Sequence, residues 1–162
     1  MFIFALSFGT RGGRLRVRAW NFYKDREIVA ELPVILVIED DELVQSLVVE
    51  ALIEGGFEPA IAASGEEAVT LLKSSSLIKE RLVTYRGLVT DINLKGRMNG
   101  WQVAKQAREI DPLFPVVYMT GAAAEQWASH GVPNSILLEK PFAPAQLVTA
   151  IAQLLNAGRP TG

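Results

Sequence analysis

The chain contains no cysteine, which excludes a disulfide framework and a thiolate metal site and fits a reducing compartment. It also lacks long apolar runs: no uninterrupted hydrophobic stretch approaches the ~20 residues that cross a bilayer. A large excess of charge of either sign is lacking. With a net charge of -2, nothing electrostatic favours nucleic acid or a membrane surface as a partner of the whole chain. A secretion signal is not expected either. The opening MFIFALSF has the apolar character of a signal-peptide core, but Arg11, Arg14, Arg16 and Arg18 follow it instead of preceding it, and no small-residue cleavage pattern comes after. The expected location is the cytoplasm.

What is present is ordinary soluble material. Of 162 residues, 49% are hydrophobic and 21% charged, enough for one well-cored domain and too few for two. Composition changes near Pro33. Residues 1–32 carry an excess of Lys and Arg, broken by Gly9, Gly12 and Gly13, whereas residues 33–162 carry 15 acids against 10 bases. The first segment is expected to be a tail, disordered or loosely packed. It is either a basic arm for an acidic partner or an over-extended start with Val29 near the true beginning. The domain is expected over 33–156, with a short tail at 157–162.

Beyond Pro33 short apolar runs alternate with helical periodicity. Strands are expected at 34–39, 57–62, 86–91, 115–120 and 135–139. Helices are expected at about 41–55, from 65 onward, at 100–110, at 122–129 and at 144–156. In the first helix Leu43, Val44, Leu47, Val48, Ala51 and Leu52 share one face, and Gly55-Gly56 ends it. Ser64 and Glu67 form a capping-box pair for the second. The third turns Val103, Ala104 and Ala107 inward and stops before Pro112. The last opens on Pro144 and buries Leu147, Ile151, Leu154 and Leu155. Residues 74–85 exceed a tight connection and read as an extended helix end or an ordered insert. Five strands alternating with five helices imply an α/β fold, a parallel sheet covered on both faces.

Each strand end carries a specific chemical group. Glu39 and Asp40 follow PVILVI, Asp91 follows GLVT, Thr120 follows PVVYM, and Lys140, before Pro141, follows NSILLE. Taken singly, these are common features. Acids suit a helix N-terminus, which accounts for Asp41 as a cap and for Glu42. Asp91 alone could start a turn, Thr120 alone could cap a helix, and Lys140 alone could be a surface cation. In open α/β sheets, however, functional groups gather at the carboxyl ends of strands. Three carboxylates crowded there need a hard cation, and magnesium suits such a half-open oxygen site. A carboxylate on that ion can attack phosphorus, while a hydroxyl and an ammonium can hold phosphoryl oxygens.

The strings ILVIEDDE, LVTDINL, VVYMTGA and LLEKPF, in that order, resemble the receiver domain of two-component response regulators, a chemotaxis-regulator-like module of the stand-alone type. The likeness spans 34–156. It implies a flavodoxin-like, doubly wound five-stranded parallel sheet in the order 2-1-3-4-5 within three α/β/α layers. It also implies that Asp91 is the phosphate acceptor of a phosphorelay protein that is not an enzyme in its own right. Asp40 would bind magnesium directly and Glu39 through water, with the Asn93 carbonyl as a further ligand. Thr120 and Lys140 would contact the phosphoryl oxygens. The implied donor is a sensor histidine kinase or a histidine phosphotransfer protein, and the output is an unidentified protein met through the 122–156 face.

Some features depart from that pattern. Leu137 stands where many receivers carry a Tyr or Phe switch, so the response should be a loop and helix displacement instead of a swinging ring. Partner specificity would then rest on Trp127, His130 and Gln146. The LKGRMNG loop is one residue longer than common, with Lys95 where proline is frequent. A phosphate sink, a relay intermediate and an aspartyl-phosphate hydrolase remain alternatives. The hydrolase usually has a second acid two residues after the nucleophile, where this chain has Asn93. A dinucleotide or flavin carrier would need a glycine-rich turn after the first strand, and EDDELV is its electrostatic opposite. No helix-turn-helix, cyclase-like segment or kinase core is visible.

Overall fold

The computed structural model describes residues 31–77 and 83–158. The expected tails, apart from residues 31–32 and 157–158, and residues 78–82 of the expected insert lie outside the described residues. Five strands, β1 (Val34–Ile38), β2 (Glu58–Ile61), β3 (Tyr85–Asp91), β4 (Val116–Thr120) and β5 (Ile136–Glu139), form one parallel sheet in the order β2-β1-β3-β4-β5. Between them run α1 (Glu42–Glu54), α2 (Gly65–Leu77), α3 (Gly100–Ile110) and α4 (Trp127–His130), and α5 (Pro144–Ala157) follows β5. The expected flavodoxin-like order is the one observed.

Strand residues alternate between two cores, as the pleat requires. Leu36, Ile38, Leu88, Val116 and Tyr118 meet α2 and α3 on one face, where Ala68, Leu72, Val103, Ala104 and Ala107 are buried. Ile35, Val37, Val89, Val117 and Met119 meet α1 and α5 on the other, with Val48, Leu52, Leu147 and Ile151. Burying each of the Val, Leu and Ile side chains is worth about 1.5–3 kcal/mol. That double cover explains why the central strands read as nearly continuous apolar runs.

Two expectations about helices need correction. In α1 only Val48, Ala51 and Leu52 are buried, while Leu43 is 84% and Leu47 40% exposed. The stripe that meets the sheet is Val44, Val48, Ala51 and Leu52, and Leu43 and Leu47 lie to one side of it. The helix expected at 122–129 is instead a single 3-10 turn, Ala124–Gln126, followed by the four residues of α4. Neither start has a side-chain cap. The hydroxyl oxygen of Thr120 accepts from the backbone N–H groups of Ala122 (3.2 Å) and Ala123 (2.8 Å), just ahead of the 3-10 turn, and no residue of the turn or of α4 is buried to extend the helix against the sheet. Leu154 and Leu155 are only partly buried against the α1/α5 core.

The β1/β3 neighbourhood is where chain order reverses, since β1 leads outward to β2 and β3 lies on its other side. Ile38 pairs with Thr90, Asp91 with Met119, and Thr120 with Glu139. One step beyond the first of these pairs, Glu39 comes beside Asp91, and Lys140, just past Glu139, donates its N–H to the Thr120 carbonyl. The crevice at such a switch point is the usual ligand position in this architecture.

Candidate functional site

Glu39 is buried at the end of β1. Its Oε1 accepts from the backbone N–H of Asp41 (3.0 Å), and its Oε2 accepts from Lys140 Nζ (2.6 Å). Asp41 in turn caps α1, accepting from the N–H groups of Leu43 and Val44, so the helix start keeps the acidic loop in place. Lys140 arrives from β5, its own N–H bonded to the carbonyl of Thr120 (2.7 Å). The Lys140–Pro141 peptide is cis. The Lys140 ammonium also lies 3.5 Å from Asp91 Oδ1.

Asp91 ends β3, with a side chain only 13% exposed. Its Oδ1 also accepts from the N–H of Ile92 (2.8 Å). Its other oxygen, Oδ2, accepts no hydrogen bond from the described residues. Burial pushes the Asp91 carboxyl above its ordinary value, the Lys140 charge pulls it down, and the neighbouring Glu39 charge raises it again. The carboxylate pair is thus only partly neutralised by one ammonium.

Asp40 is half-buried and its Oδ2 accepts from the backbone N–H of Lys95 (2.5 Å), across 55 positions of sequence. Asn93 is exposed in the same β3–α3 loop. That loop closes tightly: Gly100 N donates to Ile92 O (2.9 Å), and a Cβ at Gly100 would collide with the carbonyl oxygen of Asp91. Asn99 and Gln102 form a reciprocal capping box at the start of α3.

The sequence-predicted residues Glu39, Asp91 and Lys140 are therefore in direct contact, Asp40 joins them through its position next to Glu39, and Thr120 is tied to Lys140 through the backbone. As placed, no group of three or more His, Cys, Asp or Glu side chains among the described residues is arranged to hold a metal ion. The Lys140 ammonium lies between Glu39 and Asp91, and Asp40 turns toward Lys95. The donor chemistry nonetheless fits magnesium: three carboxylates against one ammonium leave surplus negative charge, all of it on hard oxygen. Sequence reasoning missed the N–H groups of Ile92 and Lys95, which orient two of the carboxylates, and Glu66, whose Oε1 accepts from Arg97 N (2.9 Å). The only sequence hint was Gly96, which adopts φ 118° in that loop.

Comparison with known proteins agrees with this geometry. The family model of the response regulator receiver domain matches residues 35–152. The response regulator receiver protein CpdR of Brucella abortus is 30% identical over 125 residues, covering 76% of this chain and 97% of that protein. A crystal structure of a response regulator receiver protein from Sinorhizobium medicae superposes with TM-score 0.72 at 46% identity, over 78% of this chain and 97% of that one. The receiver domain of sensor histidine kinase PA1611 from Pseudomonas aeruginosa, determined with a magnesium ion in its active-site cleft, shares the fold at 21% identity and TM-score 0.63, over 78% of this chain and 99% of that one. The chain spans about a quarter of the length of the NtrX-like response regulators it matches, 24% for that of Rickettsia conorii. With strand order, strand-end chemistry and family match in agreement, this chain belongs to the receiver domains of two-component response regulators.

Proposed function

We propose that Asp91 accepts a phosphoryl group from a phosphohistidine, on a sensor histidine kinase or a histidine phosphotransfer protein, in a magnesium-dependent reaction. The phosphorylated form then signals by protein contact through the 122–156 face. One observation carries this reading: Asp91 has one oxygen held by Ile92 N and faced by Lys140, and the other accepts no hydrogen bond from the described residues, at the open edge of the sheet.

In the transfer, Asp91 Oδ2 attacks phosphorus. The new O–P bond forms as the N–P bond to the donor imidazole breaks, and the departing nitrogen takes a proton. Lys140 is within reach to exchange Glu39 for a phosphoryl oxygen. The Thr120 hydroxyl uses its oxygen to accept two backbone N–H groups and keeps its hydrogen for a second phosphoryl oxygen. Glu39, Asp40, Asp91 and the backbone carbonyl of Asn93 would hold magnesium, which supplies charge neutralisation for carboxylates and phosphoryl group alike.

Incubation with acetyl phosphate and magnesium, read by intact-mass spectrometry, tests the assignment. The parent chain should gain one phosphoryl group and Asp91→Asn none; full labelling of Asp91→Asn would overturn it. A second reading, a phosphate sink or relay intermediate, draws on Leu137, which packs against the α2/α3 core with no ring to swing. Beryllofluoride with magnesium separates the two. NMR shift changes across 120–150 support signalling through that face, whereas changes confined to the loops around Asp91 support the sink or relay.

A further inference from the structure

The β3–α3 loop presents its backbone N–H groups to two carboxylates from different elements. Lys95 N donates to Asp40 and Arg97 N to Glu66 at the start of α2. Gly96, between them, needs its positive φ, and a Cβ there would stand 3.2 Å from Glu66 Oε2, so the chain runs close against this carboxylate. The N–H groups around the Glu66 carboxylate, its own, that of Arg97 and that of Met98, hold its pKa below the ordinary value, with only a small contribution from the Arg97 charge. The Arg97 side chain is 94% exposed and its Nε is 3.9 Å away, which makes that ion pair weak. Glu66 therefore grips the loop backbone instead of a side chain.

From this geometry we infer that Glu66 is a positioning residue for the phosphoacceptor site. It fixes the loop at Arg97, the loop thereby fixes the Lys95 N–H, and that N–H orients Asp40 through Oδ2, leaving Oδ1 for a cation. The inference rests on the reading that Asp40 serves a magnesium site. Partners that orient a metal ligand from behind are commonly worth 10–100-fold in affinity, and one acting through a loop belongs at the lower end.

The test compares Glu66→Ala and Glu66→Gln with Glu67→Ala. Glu67 belongs to the same first turn, but its carboxylate accepts from Ala63 N (2.7 Å), away from the loop. In metal-free protein, Glu66→Ala should speed hydrogen exchange at both Arg97 and Lys95 and move the Lys95 amide resonance. In a magnesium titration followed by NMR its Kd should rise about tenfold. Glu66→Gln, which keeps one acceptor oxygen, should fall between parent and Glu66→Ala. Glu67→Ala should loosen α2 without changing the Lys95 amide or the magnesium affinity. An unchanged Lys95 amide in metal-free Glu66→Ala overturns the inference whatever the metal does. So does a magnesium Kd within twofold of the parent's, or an equal loss in Glu67→Ala. A parent chain that binds no magnesium would instead defeat the metal-site reading itself, which the metal-free exchange result distinguishes.

Discussion

Helices α1 and α4 both leave the carboxyl edge of the same sheet, yet one runs thirteen residues and the other four. Their beginnings differ in kind. Asp41 caps α1 with two accepted N–H bonds, and the helix then buries Val48, Ala51 and Leu52. The start of α4 has no side-chain cap, and no residue of the helix is buried. What holds α4 is a polar chain: the Trp127 indole N–H donates to the Ser135 hydroxyl (3.1 Å), which donates to the carbonyl of Val132 (2.6 Å), whose N–H donates to the Tyr118 hydroxyl (3.2 Å). One end of the edge is fixed by packing and supports the acids. The other is held by a few directional bonds and is free to respond. Segments with few buried contacts open at low free energy, and moving parts are drawn from them.

Substitutions can break that contrast. Leu52→Ala, in the fully buried stripe of α1, should remove about 2–5 kcal/mol of stability in urea unfolding. Asp41→Ala should lose about 1 kcal/mol, and the Glu39–Asp40 loop should loosen with it. Ser135→Ala, which severs the polar chain under α4, should also cost about 1 kcal/mol or less. Its effect should be local, with faster amide exchange over 124–132 and no change in α1. Equal exchange in both helices of the parent chain would erase the comparison. The smallest effect is pH-dependent. The Glu66 carboxyl is held below its ordinary value of 4.5 by backbone N–H groups, so its contribution is present above that value and fades as pH falls through the lowered one. Amide protection at Arg97 should follow the same course, and Glu66→Gln should flatten it.

Much of this was legible in the sequence, for identifiable reasons. Strands buried on both faces declare themselves as apolar runs, and the site residues follow directly from the ends of those runs; Glu39, Asp91 and Lys140 meet because the strand order puts β1, β3, β4 and β5 side by side. The curtailed α4 was not legible, because alanine-rich sequence favours helix, whereas helix length in a folded domain depends on a buried face and no residue of α4 is buried. Leu43 and Leu47 were misplaced because all six apolar residues fit one broad helical face, and only its Val44, Val48, Ala51 and Leu52 side meets the sheet. Glu66 was invisible because its acceptor role depends on a backbone 31 residues away. Its neighbour Glu67 was legible as half of a capping box, though its carboxylate reaches Ala63 N instead of Ser64 N.

The 2.6 Å bond between Lys140 and Glu39 joins residues 101 positions apart, and that separation has a thermodynamic consequence. No fragment of the chain can carry the site, since its groups come from both ends of the domain. A ligand that binds there binds only the complete fold, and at a hundred times its dissociation constant it adds about 2.7 kcal/mol to global stability. Resistance of the whole domain to heat or protease thus becomes a gauge of occupancy at one crevice. The same coupling runs in reverse: any substitution that raises the unfolded population lowers the apparent affinity of the site, however far from the crevice it lies.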